Sequence, residues 1–249
     1  WRETHQMMGI LIAALLAFVL LLPLRRMTRG SADWRRLRIN HAGSGQRSWT
    51  AFRAMCTGAF WSLFMLFFFT SVAAYAVLPH SVAFLVEKGF DKVWAASAFG
   101  MTGALSFFGI LLMGWFSDYA GRLASVTISK LVTLTGIICL VCVAWYPSWI
   151  LVYAFVLCFG LMQGARGPII AVLVSLLFRG GSVGTIMGAL SLGMGLGAGV
   201  GSWLSGELYD LTGNYEMSFI LAATASFAGL ATYWLSTSLR RERPAPMRA

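Results

Sequence analysis

Long apolar runs separated by short polar breaks dominate the chain. Seven runs stand out, near Met7 to Leu24, Ala54 to Leu78, Val93 to Met113, Ala124 to Tyr146, Trp149 to Phe178, Val183 to Gly206 and Tyr215 to Leu239. Each has about the 20 mostly apolar residues that a helix needs to cross a hydrocarbon core about 30 Å thick. The pattern predicts an all-α, polytopic membrane protein with seven transmembrane helices. The first run is followed by arginines rather than preceded by them and has no small-residue cleavage site, so it reads as a true span and not as a secretory signal. Residues 25–53, between the first two runs, are rich in Arg, Ser and Gly (RRMTRGSADWRRLRINHAGSGQRS). Such a segment cannot bury a core and is expected to be mobile or to lie on anionic headgroups.

Composition and charge agree with this layout. The chain is 58% hydrophobic and 11% charged, against about 25% charged in soluble domains, which excludes an ordinary soluble globule. Of its 19 Lys and Arg, all but Arg2, Lys88, Lys92 and the intramembrane Arg166 are assigned to one side of the predicted bilayer. Lys and Arg near span ends are retained in the cytoplasm. That side is therefore the cytoplasmic one, the C-terminus with it, and Lys130 is counted among its loop cations. The net charge of +10 is a topology signal. Because the cations are spread over loops between spans, no nucleic-acid partner is expected.

One polar segment carries more information than the rest. GWFSDYAGR, Gly114 to Arg122, has the pattern Gly-x-x-x-Asp-x-x-Gly-Arg. It resembles the signature loop of the major facilitator superfamily, which links two spans on the cytoplasmic side. Two positions depart from the family pattern, Tyr119 and Leu123, where basic residues are usual. The order of elements around AFLVEKGFDKVWAASAFGMTGALSFFGILLMGWFSDYAGR and GTIMGALSLGMGLGAGVGSWLSGELYDLTGNY further resembles bacterial relatives of the monocarboxylate porters. Those porters generally carry an arginine in the span before the signature loop. Here that stretch reads FFGILLM, without a charge.

The resemblance implies a secondary transporter of the plasma or inner membrane. Residues 1–24 would be the last span of an N-terminal half, 25–53 the central cytoplasmic loop, 54–239 a six-helix C-terminal transport domain and 240–249 a cytoplasmic tail. The partners implied are a small solute, the bilayer, the missing N-terminal half and a coupling proton in symport. The repeated spacing of Gly114, Asp118 and Gly121 in Gly206, Asp210 and Gly213, at an offset of 92 residues, supports inverted three-helix repeats within the domain. A chance repeat of turn residues is the alternative.

Several residues are candidates for function. In the signature loop, Gly114 is expected to let helices approach closely, and Gly121 to take a backbone conformation closed to residues with a Cβ. Asp118 would face the helix N-terminus at Ser182 to Thr185 and form with Arg122 a cytoplasmic latch; a solvated turn is the alternative. Arg166 is the one charge read as lying deep in a span, where such residues usually face a cavity. A guanidinium grips a carboxylate with two parallel hydrogen bonds, so Arg166 is the expected contact for an organic anion, with Gln163 on the same helix face. A structural cross-link is the competing role for Arg166. Pro168 would kink that helix, and Tyr75 would offer a hydroxyl to the cavity. Gly193, Gly197 and Gly201 have the spacing of a close helix contact or of a bending point.

The sequence contains no enzymatic motif, no phosphate-binding loop and no expected cofactor or metal. Cys139 and Cys142 lie in an apolar run without flanking ligands, and Cys56 and Cys158 are read as buried hydrophobes. No Asp or Glu lies deep in a predicted span, so a proton-relaying carboxylate is expected in the N-terminal half. Efflux of neutral or amphiphilic compounds is an alternative function. A seven-helix receptor or sensor and a purely structural subunit are alternatives of other classes.

Overall fold

A computed structural model describes residues 49–178 and 182–236, together with Met7 and Ile10. The first predicted span (those two residues apart), the central loop up to residue 48 and the predicted tail 240–249 lie outside the described residues. From residue 49 onward the described chain belongs to one compact unit, Ser48–Ala249. All of its regular structure is helical: α1 (Ala51–Met55), α2 (Gly58–Val77), α3 (Ser81–Glu87), α4 (Lys92–Ala120), α5 (Arg122–Val143), α6 (Trp149–Leu177), α7 (Val183–Thr212) and α8 (Glu216–Leu235). Among the described residues, six helical stretches are long and apolar enough to cross a membrane, α2 running on through the Pro79 break into α3. They match the second to seventh predicted spans.

Local chemistry sets the helix boundaries. Thr57 accepts from the backbone N–H of Phe60 at 3.3 Å and starts α2 after a short break. Asp91 accepts from the N–H groups of Val93 and Trp94 at 3.0 and 2.9 Å and starts α4. Helix α1 lies where the sequence predicts the end of a loop. Its Thr50 cap and the Trp49 ring, edge-on to Phe178 at 5.5 Å, bring the structured unit forward to residue 49. Cys56, expected to be buried, is exposed in the α1–α2 break.

The signature segment is not the loop that its polarity suggests. Helix α4 continues through Trp115, Asp118 and Tyr119 to Ala120, and the turn into α5 is Gly121 alone, at φ +80° and ψ 166°. Its sequence copy behaves alike. Helix α7 runs past Gly206 and Asp210 and stops at Gly213, at φ +70°. Only glycine takes these angles without strain. The third residue of each motif therefore ends a helix, and the two helices end at opposite ends of the bundle.

Helix packing follows two glycine seams. On α7, Gly193, Gly197 and Gly201 are buried against the backbone of α2 at Phe64, Phe68 and Val72, while Gly195 and Gly199 face open space. On the other seam, Gly109 of α4 abuts the Leu161 carbonyl of α6, and Gly160 and Gly164 of α6 abut Thr102 and Ser106 of α4. Both pairs are parallel, because the contact partners advance in the same direction along each helix. Helix α5 packs on α6, α8 on α2, and α5 on α8. These pairings are carried into one another when α2, α4 and α5 are exchanged with α6, α7 and α8. At the Gly213 end, Ser205 donates to the Ala76 carbonyl at 3.2 Å, and Lys88 pairs with Glu216 at 3.2 Å, tying α2–α3 to α7–α8.

Candidate functional site

The polar interior centres on α5 and α6, and it holds two cations. Lys130, counted with the loops in the sequence, is instead the ninth residue of α5 and only 9% exposed. Its Nζ donates to Thr70 Oγ1 of α2, and Thr70 in turn donates to the Leu66 carbonyl of its own helix. On α8, Gly229 lies beside the ammonium, where a Cβ would sit in van der Waals contact 3.4 Å from Nζ. Arg166 projects from α6 with its guanidinium over the Phe159 ring, 4.9 Å from the centroid. This cation–π contact covers one face of the guanidinium and is worth about 0.5–2 kcal/mol.

The two cations lie at the same depth. Helices α5 and α6 are joined by a short turn and so run antiparallel, and a Cβ on Gly136 would lie 3.0 Å from the backbone nitrogen of Phe159. Stepping from that pair toward the Gly121 end brings Lys130 level with Ala165 and Arg166, and the two charges interact electrostatically. Arg166 Nη2 and Gln163 Oε1 are both buried and have no hydrogen-bond partner among the described residues. Every carboxylate among the described residues, Glu87, Asp91, Asp118, Glu207, Asp210 and Glu216, sits in a turn, at the first residue of a helix or in the last two turns of one. None lies at the depth of the cations.

Other predicted site residues are placed differently. Tyr75 is 39% exposed near the Pro79 end of α2. At 1.5 Å per residue its depth differs from that of Arg166 by about 9 Å, so the two are not brought together. Gly114 makes no close helix approach, since a Cβ there would meet nothing within 4 Å. Asp118 is exposed and has no ion-pair partner among the described residues, and α4 packs on α6 rather than extensively on α7, whose start was its expected neighbour. Arg122 opens α5, and Pro168 lies within α6 without ending it. His80, between α2 and α3, is stacked on Tyr215 at 5.1 Å with its Nε2 buried.

Lys130 and Thr70 were missed from the sequence. The signal was available in the periodicity: Ser125, Ser129 and Thr133 recur at every fourth residue on α5, all buried, and Lys130 follows Ser129. A polar face inside an apolar run marks a helix turned toward a polar interior.

Six apolar helices around buried cations define a helical membrane protein with a polar interior. Residues 109–249 match the family model of the Major Facilitator Superfamily, and the chain belongs to that superfamily. The family is one of membrane transporters, which favours that class over a receptor. Monocarboxylate transporter 13 of Bos taurus is 30% identical over 151 residues, covering 60% of this chain and 35% of the relative. Monocarboxylate transporter 13 of Rattus norvegicus is 26% identical, covering 76% and 46%. The uncharacterized MFS-type transporter YcxA of Bacillus subtilis (strain 168) is 25% identical, covering 93% and 55%. The chain thus spans about half or less of the length of these curated relatives. Among solved structures, an autoinhibited peptide transporter of the POT family superposes with a TM-score of 0.64 at 18% identity, covering 78% of this chain and 39% of that one. A POT peptide transporter in complex with sulfate gives 0.62 at 22%, covering 70% and 37%. At these identities the likeness is one of fold.

Proposed function

We propose that the chain is the C-terminal transport domain, with the last span and central loop of the preceding half, of a secondary active transporter that moves a small organic anion by alternating access. The carrying observation is the buried Nη2 of Arg166, without a hydrogen-bond partner among the described residues, in an interior whose described spans place no carboxylate beside it. An uncompensated buried charge is costly. The carboxylate of a bound solute supplies the counter-charge and the two acceptors that a guanidinium fork takes. The names of the bovine and rat relatives support a monocarboxylate as the first solute to try. The shared pairing pattern of the two three-helix sets, and their paired glycine stops, support inverted repeats rocking around a fixed central site.

The test is uptake of radiolabelled small monocarboxylates by vesicles carrying the protein at its full natural length, with and without an inward proton gradient. Saturable, gradient-dependent uptake is expected. Transport of neutral amphiphiles with no carboxylate uptake would overturn the anion reading and leave the transporter assignment standing.

In this reading Asp118 and Arg122 belong to a latch on the cytoplasmic end that is made and broken in each cycle. Asp118→Asn is then expected to lower the turnover rate about tenfold, on the scale of one charge-assisted hydrogen bond, while KM and the amount inserted change little. Unchanged uptake would remove the latch.

A further inference from the structure

We infer that Lys130 and Arg166 together hold one compact monovalent anionic group, a carboxylate or a small inorganic anion, between α5 and α6. The inference rests on the reading of Arg166 as an anion ligand and adds a second cation to it. A lysine ammonium has three donors. One goes to Thr70 Oγ1, and no other hydrogen bond of Lys130 Nζ is found among the described residues. Thr70 spends its own proton on the Leu66 carbonyl, so toward Lys130 it is an acceptor. Two ammonium donors therefore remain at the depth where Arg166 Nη2 is also buried without a hydrogen-bond partner among the described residues.

The surroundings are shaped for these charges without neutralising them. Gly229 of α8 lies beside Nζ, and Phe159 covers one face of the guanidinium. Ser125, Ser129 and Thr133 make the α5 face polar but carry no charge; the Thr133 hydroxyl donates to the Ser129 carbonyl and that of Ser125 to the Gly121 carbonyl. Two like charges at one depth in a low-dielectric interior repel strongly. A single anion accepting from both reverses the sign of that interaction and uses the unpaired donors. Lys130 is only 9% exposed, with Thr70 and the Gly229 backbone position already beside its Nζ, so the group it takes must be small: the carboxylate end of a solute or a halide-sized ion, not a bulky amphiphile.

The test is thermal unfolding of the purified full-length protein, titrated with sodium chloride or sodium acetate against the sodium salt of 2-(N-morpholino)ethanesulfonate, a bulky anion without a carboxylate, at constant ionic strength. A dose-dependent rise in unfolding temperature is expected with at least one of the two anions. Lys130→Met and Arg166→Met are each expected to weaken the apparent affinity about tenfold or more, and Lys130→Arg to retain it. In the sulfonate salt alone Lys130→Met should unfold at or above the wild-type temperature, because a methionine of similar volume removes a buried charge; this establishes that the variant is folded. A response to acetate alone assigns the group to the solute, and a response to chloride assigns a resident inorganic anion. No anion-dependent rise in the wild type, or a wild-type titration in Lys130→Met, overturns the inference. Arg166-dependent carboxylate uptake with an unaltered KM in Lys130→Met would sink Lys130 and leave the transport reading intact. Lys130-dependent anion binding without any carboxylate uptake would do the reverse.

Discussion

Arg166→Ala is expected to reduce kcat/KM for carboxylate uptake by about 100-fold or more with the protein still inserted in the membrane. Removing one partner of a buried, hydrogen-bonded charge pair costs about 2–5 kcal/mol, and about 1.4 kcal/mol is a factor of ten. Arg166→Lys separates charge from geometry. It keeps the cation but loses the planar fork and much of the stacking on Phe159, so a partial loss expressed mainly in KM is expected. A cross-linking role predicts something else: both substitutions would lower thermal stability, and any residual uptake would keep the wild-type KM. Measuring uptake kinetics and unfolding temperature on the same three proteins distinguishes the two roles.

The largest structural effect is expected at the seam between α4 and α6. A methyl group on Gly109 would overlap the Leu161 carbonyl oxygen, and one on Gly164 the Ser106 carbonyl oxygen. Backbone cannot move aside as a flexible side chain does, so Gly109→Ala and Gly164→Ala must push the helices apart. Overpacking costs about 1–3 kcal/mol and more where relief is blocked, and both variants should lose stability at the upper end of that range or fail to accumulate. Gly103→Ala and Gly195→Ala provide the contrast. Nothing lies within 4 Å of a Cβ at either position, and both are expected to be near neutral in thermal unfolding. Equal stability across all four variants would mean that the seam is not as tight as its geometry. The same logic extends to Gly197 against Phe68, whereas Gly193 meets mainly the Phe64 ring, which can shift.

The fold was largely legible because a bilayer makes the apolar run itself the folding unit. The second to seventh predicted spans coincide with long helices, and the first, apart from Met7 and Ile10, lies outside the described residues. Errors fell where polarity was taken for a loop. Asp118 and Tyr119 are exposed yet helical, because a helix end beyond the hydrocarbon is free to carry them while satisfying its own backbone. Residues 51–53 were placed in a loop and open α1, because a side-chain cap and the docked Trp49 outweigh local composition.

The site was legible only in part. Arg166 is conspicuous in sequence because nothing else charged stands so far from a polar break. Lys130 is not, because it lies six residues inside the run that begins at Ala124, where a loop assignment and a buried one look alike. The sequence by itself determined the membrane class, the second to seventh spans, the special backbone conformation at Gly121 and the superfamily pattern, since these depend on local hydropathy and on backbone conformations open to glycine. Only the tertiary structure decided which glycines touch backbone and which face open space, that His80 lies against Tyr215, and that Lys130 meets Thr70 level with Arg166. Those facts depend on how helices distant in the chain are rotated and shifted against one another, and helix–helix register is set by packing across the bundle, not by the composition of any one helix.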